Sequence, residues 1–186
     1  MRTDGPGPAS DAAGLVAFWR DAGPDRWFTK DKAFDDRFRS QCLALHEAAA
    51  SGALESWLAE PESALALVLL LDQFPRNCFR DTARMFATDA LARAAATAAI
   101  AAGHDLAVDP DLRVFFYLPF EHSEDPADQE RAVALIAPLD EEQRRYAELH
   151  RDIIRRFGRF PHRNAVLGRE TTPEEQRFLD EGGFAG

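Results

Sequence analysis

The sequence is short of the residues that staple or anchor a protein. Its two cysteines, Cys42 and Cys78, lie in no Cys-x-x-Cys pair, which excludes a disulfide framework and a thiolate zinc ribbon. The longest strictly apolar run, Ala64 to Leu71, has eight residues, against the ~20 that a helix needs to cross a bilayer. The opening Met-Arg-Thr-Asp-Gly-Pro-Gly-Pro has none of the apolar stretch of a secretory signal. With so little cysteine, the expected location is a reducing cytoplasm.

Positive charge is scarce as well. Lys and Arg number 22 against 32 Asp and Glu, a formal charge of −10. Nucleic acid and anionic membranes select the opposite sign, so neither is an expected partner. Lysine is almost missing, with only Lys30 and Lys32 beside the arginines; together with the abundant alanine this reflects genome composition. No segment of useful length alternates with period two, and no Asn-Gly hairpin signal or 34-residue repeat occurs. GxSxG, Walker and HExxH motifs are absent, so no familiar catalytic constellation declares itself.

What remains is an ordinary globular composition, 46% apolar and 29% charged over 186 residues, enough for one domain that buries roughly 70% of its unfolded surface. Residues 1–8 read as a disordered tail and 9–186 as a single domain. Ser10 or Asp11 caps a first helix carrying Leu15, Phe18 and Trp19, ended by Gly23-Pro24. Asp31 caps a second, with Phe34, Phe38, Cys42, Leu45 and Ala49 at three- and four-residue spacing. Pro61 opens a third through Leu65, Leu69 and Asp72, predicted to stop before Pro75. An Ala-rich helix runs from Thr82 or Thr88 to Gly103, and Asp109-Pro110 opens one that Pro119 should stop. Asp125-Pro126 starts the next. Asp140 starts a strong one carrying Tyr146, Leu149, Ile153 and Phe157 up to Gly158, and Thr172-Pro173 starts the last. The prediction is an all-α fold of about eight helices in an antiparallel array.

Three inter-helix stretches carry the unusual chemistry: 72–80 with Asp72, Arg76, Asn77 and Arg80; 118–124 with Glu121, His122 and Glu124; and 160–169 with His162, Arg163, Asn164 and Arg169. If successive helices alternate in direction, all three fall at one end of the array. From Arg151 to Arg169 there are six Arg and one Asp. Guanidinium forks grip carboxylate or phosphate, and an imidazole beside a carboxylate works as acid or base near neutral pH. The candidate catalytic groups are His122, His162, Glu121 and Glu124. The candidate ligand-binding groups are Asp72, Arg76, Asn77, Arg80, Arg163, Asn164 and Arg169. His122, Glu124 and His162 also make a conceivable divalent-metal set, although no metal or other cofactor is assigned.

The segments LLLDQFPRN-x-FR, YLPF-x-HSE-x-x-x-x-Q and HRDII-x-RFGRFPHRN-x-x-LGR-x-x-TPEE resemble the DUF924 family, bacterial proteins of undefined function grouped with tetratricopeptide-like helical folds. The likeness runs from about Phe18 to Leu179. It implies a tetratricopeptide-like array and marks the loops, without supplying a substrate; fold kinship alone does not imply peptide binding.

Each candidate has a structural reading beside the functional one. Asp72 lies on an apolar helix face, where a buried carboxylate must pair, here with an Arg from another loop. The arginines can cap helix carbonyls. His150 lies on a core stripe and reads as a hydrogen-bonded core histidine; His46 and His104 have no constellation. Two functions follow. One is a protein that binds, and in one version transforms, a small anionic metabolite at the loop cluster. The other is a helical scaffold for a protein partner, in which the same loops are a clasp. Neither fixes the oligomeric state.

Overall fold

The computed structural model describes residues 11–184; the tail assigned to residues 1–8 lies outside them. Among the described residues every regular element is helical, with no strand. The contacts divide the chain into two compact units, residues 11–80 with 84–119, and residues 81–83 with 120–184. No described helix is long and apolar enough to cross a membrane.

The first unit begins with α1 (Ala12–Ala22), whose N-cap Asp11 accepts from the Gly14 N–H at 2.8 Å. The short α2 (Pro24–Trp27) follows at once, and α3 (Lys32–Ala50) is capped by Asp31 at two backbone N–H groups. The apolar spacing of α1 and α3 becomes an aromatic cluster. Phe18 stacks on Phe34 with ring centroids 5.3 Å apart, and Trp19 meets Phe38 and Phe115, both at 5.3 Å. The Trp27 indole N–H donates to the Trp19 carbonyl at 2.7 Å, tying α2 to α1.

Pro75 does not stop the third helix. α4 (Pro61–Val68) runs into a wide π turn (Leu69–Gln73) and on into α5 (Phe74–Cys78), so Arg76 and Asn77 are helical and not loop residues. The Phe74 N–H bonds to the Leu69 carbonyl, five residues back. In regular α geometry the ring of Pro75 would press on the carbonyl four residues behind it; the wide turn sets that register aside just before the proline. α6 (Asp89–Ala101) starts at Thr88, and it buries Ala92, Ala95, Ala96 and Ala99, small residues that let it pack closely on α4.

The helix predicted over 110–118 is a 3₁₀ run, Pro110–Phe116, in which Leu112, Val114, Phe115 and Phe116 are all buried. With apolar groups on nearly every side there is no single stripe for a 3.6-residue repeat to present, and packing overrides pattern. Pro119 likewise sits inside the short α7 (Leu118–Glu121), which carries the chain from the first unit to the second.

In the second unit α8 (Pro126–Ile136) packs on α9 (Glu141–Phe157). Asp125 and Asp140 cap them through side-chain bonds to first-turn N–H groups. α9 ends at Gly158, whose φ of 69° is the left-handed value that favours glycine. The buried face of α9 is Ala147, His150, Ile153 and Ile154; the predicted stripe departs in its first half, where Tyr146 is 51% and Leu149 41% exposed. A 3₁₀ turn, Pro161–Arg163, leads on to α10 (Pro173–Asp180), opened by a reciprocal capping box between Thr172 and Glu175. Ile153, Ile154 and Phe160 form the core, with Phe157, Phe178 and Phe184 packed against it.

Candidate functional site

The 72–80 stretch belongs to the first unit, and its polar groups are engaged there. Asp72 is buried and pairs at 3.1 Å with Arg76, one turn later on the same helical run rather than on another loop; the Gln73 amide donates to it at 2.7 Å. Arg76 also reaches Asp89 on α6 at 2.9 Å. Asp35 on α3 accepts from Asn77 at 2.7 Å and from Arg80 at 3.0 Å. These bonds tie α3, α5 and α6 together. Burial pushes both cysteine thiols up to about 12, so neither is a thiolate at neutral pH. His46 and His104 bond the carbonyls of Leu70 and Leu58 and are structural.

The second and third stretches meet in the second unit. Glu124 and Arg169 form a two-pronged pair at 2.7 and 3.0 Å. Glu124 also accepts the Phe160 N–H at 2.8 Å, and Arg169 donates to the Phe160 carbonyl at 3.1 Å. One ion pair thus engages both backbone polar groups of a buried residue, Phe160. Burial acts to raise the Glu124 carboxyl, but Arg169 and the Phe160 N–H outweigh it and hold it below its ordinary range. Asn164 closes the following loop, its carbonyl accepting the Arg169 N–H at 2.8 Å. Farther along, Arg159 grips Glu175 at 2.6 and 2.8 Å.

Gln129, fully buried on α8, donates to the carbonyls of Glu121 and Ser123, both at 2.6 Å. It fixes the turn that presents Glu121 and His122. Its place in the HSE-x-x-x-x-Q pattern was the sequence signal for this brace.

Around Phe160 lie three imidazoles. The His150 ring centre is 5.5 Å from Phe160 and 6.5 Å from His122, and His162 is 5.6 Å from Phe160. The Arg163 guanidinium lies over the Phe160 ring at 4.4 Å. Nδ1 of His150 is 2.8 Å from the Tyr146 carbonyl and 3.4 Å from the buried Glu121 carboxylate. A carbonyl only accepts, so Nδ1 carries the proton and the lone pair of the neutral ring is on Nε2. Burial first, then the charges of His122, Arg163 and His162, lower the His150 pKa to about 3; its bond to Tyr146 opposes this. Burial and Arg163 lower His162 to about 4 against the pull of Glu124. Nδ1 of His162 is buried and has no hydrogen-bond partner.

Both rings are neutral at pH 7, with Arg163 as the cation beside them and the carboxylates of Glu121 and Glu124 also near. Among the described residues no three His, Cys, Asp or Glu side chains come together to hold a metal ion, and Glu124, the carboxylate of the conceivable metal set, is occupied by Arg169. His150, placed in the core from its sequence position, is the centre of this cluster.

Among the described residues the chain is all-helical, with a guanidinium–carboxylate clamp closed on the FPHRN turn, and its sequence places it in a class. Residues 15–183 match the family model described as bacterial protein of unknown function (DUF924), and the chain belongs to that family. It is 61% identical to a solved structure, the protein of unknown function ATU0120 from Agrobacterium tumefaciens. That match has a TM-score of 0.90 and covers 92% of this chain and 97% of that one. A search of curated proteins gave no match.

Proposed function

We propose that the imidazole cluster of the second unit binds a small organic anion and is where any chemistry on it occurs. Arg163 supplies the positive charge, the neutral imidazoles supply ring nitrogens for hydrogen bonds, and Glu121 orients His150. His122, only half-buried, is the acid–base group at the accessible edge. Glu124, Asn164 and Arg169 act as braces that hold the turn. The observation that carries this reading is the buried Nδ1 of His162, without a hydrogen-bond partner beside Arg163 and two further imidazoles. A buried polar atom left unsatisfied costs about 1–3 kcal/mol, which an anion's oxygen would recover.

Anion and proton then bind together. An opposite charge raises a depressed imidazole pKa, so affinity should increase as pH falls from 8 to 6. The test is a thermal-shift panel of mono-, di- and tricarboxylates and phosphate esters on the wild type, Arg163→Ala and His162→Asn. A compound at ~100 times its Kd stabilises by about 2.7 kcal/mol, a rise of roughly 5–10 °C at this size, which both variants should lose. A wild type unmoved by every compound, or variants that respond like it, refutes the reading.

One observation favours a second function, a scaffold for a protein partner: Tyr146 and Leu149, close together on α9, are exposed. Leu149→Glu would then abolish partner capture and leave any anion response intact.

A further inference from the structure

Phe184 follows α10 and lies on the imidazole cluster. Its ring makes edge contacts with His150 at 4.5 Å and with His162 at 5.3 Å, and it packs against the Ile153, Ile154 and Phe160 core. The turn that aims it is specific. Gly182 has φ 82°, the Gly182 N–H bonds to the Leu179 carbonyl at 3.1 Å, and the Gly183 N–H bonds to the Phe178 carbonyl at 2.9 Å. This double bond reverses the chain at the helix end. Gly183 is required there, because a Cβ would meet the Phe178 carbonyl oxygen at 2.5 Å and the Phe178 ring at 2.6 Å.

We propose that Phe184 is the gate of the imidazole cluster, seated by the Gly182-Gly183 turn, and that it must swing off His150 and His162 before a ligand reaches them. The inference rests on reading the cluster as a ligand site. Three features carry it. The ring touches two of the three imidazoles at once. It is only half-buried, so leaving costs far less apolar burial than displacing the fully buried Phe160. Its seat is a two-glycine turn and not the body of a helix.

The gate also sets the charge of what it covers. His150 faces Glu121 and His122 from the turn before α8, and Arg163 and His162 from the 161–163 turn. His162 faces Arg163, Glu124, Arg169 and His122. With Phe184 seated, burial keeps both rings neutral at pH 7. With it displaced, water reaches them and they protonate closer to their ordinary range, so opening makes the cluster more cationic and better suited to an anion.

The test is acylation of histidines by diethyl pyrocarbonate, which attacks accessible neutral imidazole, mapped by peptide mass spectrometry. In the wild type at pH 7, His150 and His162 should react slowly. In Phe184→Ala and in Gly183→Ala they should react at least ~10-fold faster; in Phe184→Leu, which keeps an apolar cover, they should stay near the wild-type rate. Amide exchange over α8 and α9 is read on the same samples. Faster acylation with unchanged exchange is the expected result. Equal acylation in wild type and Phe184→Ala overturns the gate. So does faster acylation accompanied by lost α8–α9 protection, which makes Phe184 a piece of the core. Acylation needs no ligand, so failure of the anion panel alone removes the ligand reading, and failure of acylation alone removes the gate.

Discussion

Mild acid should loosen the second unit well before its carboxylates titrate. His150 titrates near 3 and His162 near 4 in the folded protein, against about 6.5 in an unfolded chain. Both folded values are depressed, so between pH 6.5 and about 4 the unfolded state binds more protons than the folded one. The stability is fully present above pH 6.5 and is lost as pH falls. At pH 5 an unfolded imidazole is almost fully protonated and these two are almost fully neutral. The loss from pH 7 to 5 is then about 2 kcal/mol for each ring, roughly 4 kcal/mol together. Carboxylates add little here, since their ordinary values are near 4.

The choice of probe matters. All three tryptophans, Trp19, Trp27 and Trp57, lie in the first unit, so their fluorescence cannot follow the second. Urea unfolding should instead be read by far-UV circular dichroism and by amide exchange in α8 and α9, at half-unit steps of pH. His150→Asn is the informative variant, because an Asn amide can replace the Nδ1–H bond to Tyr146. It should halve the pH dependence, to about 2 kcal/mol. His162→Asn should do the same. A wild type whose second unit is equally stable at pH 7 and 5 would refute the account. So would a His150→Asn protein that keeps the full slope.

Glu175 works in the same direction over a lower pH window. Its bond to Arg159, aided by the Thr172 cap, lowers its carboxyl to about 2, so its contribution is present above pH 4.5 and lost as pH falls toward 2; Glu175→Gln should flatten urea midpoints over pH 4.5 to 3. In the first unit, Asp72→Ala removes a buried carboxylate that pairs with Arg76 and should cost about 2–4 kcal/mol, seen in tryptophan-monitored unfolding. Cys42 and Cys78 should stay inert to an aromatic disulfide reagent at pH 8 in the folded protein and react fully in denaturant; fast reaction in the native state would contradict their burial.

Most helix starts were legible in the sequence because capping is local. Asp11, Asp31, Asp125, Asp140 and Thr172 each cap the helix predicted for them. The failures share a non-local cause. Pro75 stops an α-helix by rule, and only the wide turn before it lets the helix pass. The 110–116 segment has a helix cap but is apolar on nearly every side. On α9 the stripe through His150, Ile153 and Phe157 holds, but its first half departs, because the small Ala147 packs inward while Tyr146 and Leu149 turn outward. The polar residues of the 118–124 and 160–169 stretches were visible as a set, but not their division of labour. That Glu124 and Arg169 are spent on the backbone of one residue, Phe160, depends on a pairing across 45 positions. Phe184 carried no motif at all, beyond the two glycines that aim it.

The π turn at Leu69–Gln73 has a consequence for how the first unit tolerates change in length. A helix advances each side chain by about 100°, and the wide turn absorbs one residue without adding a turn. Deleting Leu70 would restore regular α geometry, in which the ring of Pro75 presses on the carbonyl four residues behind it. The phase downstream would be kept, because the lost residue had added no turn, so Arg76 would still face Asp89, and Asn77 and Arg80 would still face Asp35. The extra residue works as slack: local regularity is given up so that a proline can sit inside the rod while both of its ends still meet their neighbours.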